Sequence, residues 1–242
     1  MIWLFAGSAV TKLALAAGGA ALLSGPLNSP QTWISGGSPD APPLATRLAS
    51  TANVNRLSRL PSGAVVVDLE NWPQTPVSQR QNPVGAYRRA AEIAEYRHQW
   101  LVATPATDLV RSVVPSYRGR IYPEFVRLRL AARIAAYVPG YEIQAQGAEN
   151  NPTLYRSFVT DISRQVQQAH HGITILAGLS TNPGGHVVAA SVLGRDIALT
   201  KGLVSGYWMN IPQAGKACPR CGQAYPEIAV QVLDAELTDS QR

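Results

Sequence analysis

Along this chain short runs of aliphatic and β-branched residues repeatedly give way to longer stretches in which apolar residues recur every three or four positions. The first pattern predicts strands and the second predicts amphipathic helices. "TWISGG" (32–37), "AVVVDLE" (64–70), "WLVATP" (100–105), "YEIQAQ" (141–146), "ITILAGLS" (173–180) and "VSGYWMNIP" (204–212) read as strands. Between them lie "LATRLASTANVNRLSRL" (44–60), with helical spacing, and "PVGAYRRAAEIAEYRHQ" (83–99). The latter opens with Pro83 behind Asn82 as a cap. Residues 108–139 read as helical with breaks at Pro115 and Pro123. "PTLYRSFVTDISRQVQQAHH" (152–171) has Asn151 as its cap, and "HVVAASVLGRDIALTKG" (186–202) and "PEIAVQVLDAELT" (226–238) complete the helices.

Strict strand–helix alternation predicts an α/β protein with one parallel sheet, closed or nearly so, built on 64–70, 100–104, 141–146, 173–179 and 204–208. No G-x-G-x-x-G and no G-x-x-x-x-G-K-[ST] follows a strand, which removes support for the nucleotide-binding open sheets. Polar residues instead gather at the C-terminal ends of successive strands. They are Asp68 and Glu70, Thr104 and Thr107, Gln144 and Gln146, residues 180–182, and residues 207–210. That distribution predicts a (β/α) barrel, whose functional rim lies at those ends. About six strand–helix units are visible, or about seven if the N-terminus forms one. The expected barrel is therefore irregular or has fewer than eight complete units.

The N-terminal "MIWLFAGSAVTKLALAAGGAALLSG" is apolar and rich in small residues. It supports two expectations. One is an export or anchor segment over residues 1–30, giving a secreted or cell-surface protein; Lys12 in its middle is irregular for such a segment. The other is a first βα unit, with a cytoplasmic setting as the alternative. Residues 31–242 are expected to form one barrel domain, and no other stretch is long and apolar enough to span a membrane.

The 242 residues are 46% hydrophobic and 15% charged, which suits a globular core and excludes wholesale disorder. The net charge of +6 is almost all arginine, a composition that suggests a GC-rich bacterial gene. The densest basic stretch, 111–133, interleaves Arg127, Arg129 and Arg133 with Leu128, Leu130 and Ile134. It reads as a solvated helix face, and no nucleic-acid partner is expected. Cys218 and Cys221 form "CPRC", too few thiolates for a structural zinc. A local disulfide or two free thiols in a loop is expected, with no catalytic metal. His98, His170, His171 and His186 lack metal-ligand spacing, so neither metal nor cofactor is expected. No signal of oligomeric state is present.

The run "GAVVVDLENW" (63–72) ends in two carboxylates. Burying them unpaired would be costly. Side chains alternate along a strand, so Val65, Val67 and Leu69 share the helix-packed face, while Val66, Asp68 and Glu70 point into the barrel. Glu70 then stands at the rim with Asp68 one layer below. The amides of Gln144, Gln146, Asn182 and Asn210, with the flat faces of Trp72, Tyr207 and Trp208, suit a hydroxyl-rich polar ligand such as a carbohydrate. A structural alternative is that both carboxylates bind backbone amides or an arginine such as Arg80.

Val-Val-Val-Asp-Leu-Glu at a strand end resembles the Asp-x-Glu end of the chitinase-type glycoside hydrolase motif, a barrel family. The resemblance implies Glu70 as the general acid and Asp68 as the helper of an N-acetyl group acting as nucleophile. It also implies that Tyr207, in "GYW", assists the acetamido group. The family has a further Asp where this chain has Val66. The expected function is hydrolysis of an amino-sugar-containing glycan by an exported barrel. A non-catalytic carbohydrate-binding barrel is the second expectation, favoured by Val66. A phosphate-handling lyase or isomerase, with phosphate near "STNPGG" (180–185), is the third.

Overall fold

The computed structural model describes residues 1–215 and 218–239. Eight strands close in chain order into a barrel: β1 (Ile2–Ala6), β2 (Thr32–Ser35), β3 (Thr46–Thr51), β4 (Ala64–Val67), β5 (Trp100–Ala103), β6 (Gly140–Ile143), β7 (Thr174–Ser180) and β8 (Gly206–Asn210). Neighbouring strands pair in parallel, as in β3–β4–β5–β6 and β8–β1–β2. Among the described residues the helices are α1 (Gly7–Leu15), α2 (Gly19–Ser24), α3 (Val77–Gln81), α4 (Pro83–Tyr96), α5 (Val110–Val113), α6 (Ile121–Arg127), α7 (Leu130–Ala135), α8 (Pro152–Ala169), α9 (Ala190–Thr200) and α10 (Pro226–Asp239). None is long and apolar enough to cross a membrane.

The eighth strand, hidden in the sequence pattern, is β3. Its stretch, 44–60, carries helical spacing, yet Thr46–Thr51 is extended and only Val54–Arg59 is helical, as a 3-10 turn. Asn53 separates the two by capping that turn, its side chain accepting from the Asn55 N–H at 3.0 Å. In β3, Leu48 is buried and Arg47 is exposed. So short an alternation carries little periodic signal.

The N-terminal stretch read as an export or anchor segment supplies β1 and α1, the first βα unit. Trp3, Leu4 and Phe5 are buried, and β1 pairs with β2 on one side and β8 on the other. Gly206 is required by that second pairing, because a Cβ there would strike the Ile2 backbone. Lys12, irregular in a leader, has a use in the fold: its Nζ donates to the Ile211 carbonyl at 2.7 Å.

The chain falls into two compact units. One comprises Met1–Arg47, Ala145–Arg156 and Ala177–Arg242; the other comprises Leu48–Gln144 and Ser157–Leu176. In the second unit α4 begins at Asn82, whose side chain accepts from Gly85 N–H at 3.0 Å. The helix buries Ala86, Tyr87, Ala90 and Ala94. These mostly small residues permit close approach to the sheet. Tyr87 donates from its hydroxyl to the Val67 carbonyl at 2.9 Å, tying the helix to the end of β4.

Candidate active site

The end of β4 is where the aliphatic strand meets its carboxylates. The ladder runs on past Val67: Asp68 N–H donates to Thr51 O, Thr104 N–H to Val67 O and Ala106 N–H to Leu69 O. Register pairs Val67 with Ala103 and Ala103 with Tyr141. One step further along the three strands, Asp68, Thr104 and Glu142 stand level and share a face, because neighbours in register point the same way. Two residues on, Glu70 and Gln144 form the next layer of that face. The opposite face carries Val67 and Tyr141, and Tyr87 of α4 binds the Val67 carbonyl. The face bearing the carboxylates is therefore the barrel interior, as strand alternation predicts for Asp68 and Glu70.

Side chains hold Asp68 in place. Thr104 Oγ1 donates to its Oδ1 at 2.9 Å and Gln144 Nε2 donates to the same oxygen at 3.2 Å. Glu70 N–H donates to Thr75 Oγ1 at 3.2 Å, and Trp72 Nε1 donates to that hydroxyl at 2.9 Å. Trp72 is thus placed beside the acid by a shared buried threonine. Asp108 accepts from the Asn71 N–H at 3.0 Å, and the Asn71 side chain accepts from Arg80 Nη1 and Ser112 Oγ. Arg80 accordingly braces the loop after β4, and Asp68 takes its hydrogen bonds from Thr104 and Gln144.

The electrostatics follow from this packing. Burial pushes Asp68 up to about 6, opposed by the hydrogen bonds from Thr104 and Gln144 and reinforced by Asp108. Burial, then the charges of Asp68 and Asp108, pushes Glu70 up to about 8. Both are half-buried at the strand end. Burial and its neighbours' charge thus favour Glu70 as the neutral acid of the pair, and the hydrogen bonds from Thr104 and Gln144 favour Asp68 as the anion.

Glu142 was missed by sequence reasoning. It is 1% exposed, and neither of its carboxylate oxygens meets a hydrogen-bond partner among the described residues. The signal was available: a glutamate in the middle of "YEIQAQ", two residues before Gln144 and on the same face. Thr75 was likewise absent from the expected site, and Thr104 was counted among the polar residues of the rim without a role, because what each does depends on contacts made across strands and turns.

The other expected residues belong to the other unit. Tyr207 is buried, and its hydroxyl donates to the Ile197 carbonyl of α9 at 3.1 Å and lies 3.0 Å from Thr200 Oγ1. Its ring lies 5.8 Å from that of Trp3. Tyr207 therefore faces the helix layer, which corrects the expectation of an acetamido-assisting tyrosine. Adjacent strand residues point to opposite faces, so Tyr207 and Trp208 cannot both line one pocket. Trp208 and Asn210 take the face opposite Tyr207. Asn182, fully buried, donates from Nδ2 to Cys221 O at 2.7 Å and to Gln223 O at 3.0 Å. It anchors the loop that holds the Cys218–Cys221 disulfide, one of the two cysteine states expected. Gln146 opens a 3-10 turn, Gln146–Ala148.

The chain matches no protein-family model and no curated protein sequence. Its function therefore rests on the chemistry of the site.

Proposed function

We propose that the chain is a hydrolase of a polar, hydroxyl-rich substrate, in the first instance an amino-sugar-containing glycan. Glu70 is the general acid and Asp68 its ionised companion. The observation that carries this reading is the divergence of two neighbouring carboxylates, Asp68 at about 6 and Glu70 at about 8, at the C-terminal end of a barrel strand. Two such groups can divide the work: the neutral acid protonates a leaving oxygen, and the anion stabilises the positive charge that develops at the sugar. Trp72, fixed by Thr75, supplies a flat apolar face against a sugar ring. Gln144 fixes Asp68 from β6's end. The disulfide between Cys218 and Cys221 is of a kind that persists in oxidising compartments and so favours an exported setting, whereas the place of residues 2–15 in β1 and α1 favours the cytoplasmic alternative.

The phosphate reading has less to stand on. Four backbone donors of the loop at 180–185 are already taken by the protein: Ser180 N–H by Glu149 Oε1, Thr181 N–H by Asn210 O, Asn182 N–H by Ser180 Oγ and Gly185 N–H by Asn182 O. The Glu149 carboxyl already holds the first of these, so that donor is not free for an incoming phosphate.

The test is turnover of chitin- and chitosan-type oligosaccharides as a function of pH. Activity should follow a bell. The acidic limb falls as Asp68 gains its proton near pH 6, and the alkaline limb falls as Glu70 loses its proton near pH 8. Binding of the same sugars with no hydrolysis at any pH would instead make this a carbohydrate-binding barrel.

A further inference from the structure

Glu70 stands where the backbone ladder of β4 gives out. Just before it, Leu69 O accepts the Ala106 N–H at 2.9 Å. In a regular parallel ladder the next bond on that side runs from the Asn71 N–H to the Ala106 carbonyl. That carbonyl is taken by the 3-10 turn Thr107–Leu109, accepting the Leu109 N–H at 3.2 Å. The Asn71 N–H goes instead to a side chain and donates to Asp108 Oδ1 at 3.0 Å. The edge toward β3 shows the same exchange. Asp68 N–H still donates to the Thr51 carbonyl, but Glu70 N–H donates to Thr75 Oγ1 at 3.2 Å. At Glu70, therefore, Thr75 and Asp108 stand in for the two neighbouring strands.

The Asp108 side is reinforced by the side chain of Asn71. Its Oδ1 accepts from Arg80 Nη1 of α3 at 3.0 Å and from Ser112 Oγ of α5 at 2.9 Å. All of these residues lie in one compact unit. Asp68 and Asp108 are the charges that bear on Glu70, Glu70 bears in turn on Glu142, and Arg111 and Arg80 bear on Asp108. A general acid must reach the leaving oxygen within hydrogen-bond distance, so a loose peptide at this point would spread its position.

We propose that Asp108 is a positioning residue for Glu70: by accepting the Asn71 N–H in place of a strand, it fixes the peptide that carries the acid. The consequence for catalysis rests on the hydrolase reading, whereas the hold on Glu70 can be measured without substrate.

The experiment is a carboxyl carbon NMR titration of Glu-labelled protein, comparing the parent with Asp108→Asn and Asp108→Ala. The Glu70 resonance is the one that disappears in Glu70→Gln. Both Asp108 variants lose the charge, but asparagine keeps an oxygen for the Asn71 N–H and alanine does not. The difference between them isolates the hydrogen bond. Alanine frees the peptide and lets water reach the acid, so its Glu70 midpoint should lie below that of asparagine by about half a unit or more. Turnover of chitosan-type oligosaccharides, taken at each variant's pH optimum, should show kcat about tenfold lower in alanine than in asparagine, with KM changed by less than about twofold. Equal Glu70 midpoints in the two variants, or an equal loss of kcat in both, overturns the proposal. Asp108→Ser, whose shorter side chain also falls short of the Asn71 N–H, takes the place of alanine if that variant does not fold. Absence of hydrolysis in the parent bears only on the hydrolase reading, and the midpoints then decide.

Discussion

Glu149 and Asp196 lie in one unit of the chain, and Asp68, Glu70 and Glu142 lie in the other. Glu149 is 1% exposed and Asp196 is fully buried, yet each has one oxygen held. Glu149 Oε1 accepts the Ser180 N–H at 2.6 Å, and Asp196 Oδ1 accepts from Arg195 Nε and Nη2 at 3.3 Å. Arg195 Nη2 also donates to the Glu149 carbonyl at 3.1 Å, closing a small network. In the stack at the ends of β4, β5 and β6, the charges bearing on the carboxyls come from other carboxyls. Arg80 and Arg111 bear instead on Asp108. Donors and a cation make the first group a structural tie. Burial raises the acids of both groups, so what separates them is their partners: the second group has no cation bearing on it among the described residues, and its proton is left to the carboxyls themselves.

The largest effect that could break this contrast is catalytic. Glu70→Gln keeps shape and removes the titrating proton, so turnover should drop by roughly 10²–10⁴-fold. Thermal unfolding at pH 6 should barely change. Glu149→Gln should leave turnover near the parental value. If the two substitutions cost turnover equally, the division between working and structural acids is lost.

Next in size is stability in the tied group. Arg195→Ala removes the cation from a buried aspartate and a donor from the Glu149 carbonyl, with an expected loss of about 1–3 kcal/mol at pH 8. Asp196 is pushed up to about 6 by burial, which outweighs Arg195. The loss measured by denaturant unfolding should shrink at pH 5, where that carboxyl is neutral in parent and variant alike. An equal loss at both pH values would mean that the ion pair contributes nothing.

A smaller effect is the pH dependence of the parent. Glu70 is raised to about 8, and Asp68 and Asp196 are raised to about 6, while Glu142 and Glu149 are raised by burial. An acid whose folded pKa exceeds its unfolded pKa binds more protons folded than unfolded between those values, so stability falls as pH rises through that window. The melting temperature should therefore decline from about pH 5 to pH 8, and Glu142→Gln should flatten the decline. A melting temperature that rises over this range would reverse the assigned signs.

The smallest effect sharpens the picture of Asp68. Thr104→Val removes the 2.9 Å hydrogen bond that favours its anion, and the Asp68 midpoint should rise by about half to one unit. The acidic limb of the pH–rate profile should move with it. An unmoved midpoint would mean that Gln144 alone holds the carboxylate.

Much of this molecule is written locally. The strand ending in Asp68 and Glu70, the Asn82 and Asn151 caps and the alternation that makes a parallel barrel are all set by neighbours in sequence, because propensity, capping and side-chain alternation act over a few residues. Asn151 does accept from Leu154 N–H at 3.0 Å, as its position before Pro152 predicts. Asp68 and Gln144, 76 residues apart, were placed together by reasoning from strand ends and are joined by a hydrogen bond.

Other features were decided only when the chain closed. β3 has too short an alternation to announce itself and becomes a strand because β4 pairs with it. The same holds for β1, whose apolar residues read equally well as a leader until β2 and β8 flank them. Tyr207 and Asn182 carry the chemistry of a binding site, but tertiary contacts turn one to α9 and the other to the carbonyls of residues 221 and 223. Glu142 shows the converse: unremarkable in sequence, it acquires its character from burial and from two carboxylates on another strand. Local order follows from local forces, whereas the ionisation of a buried acid depends on solvent exclusion and on charges that only the folded barrel assembles.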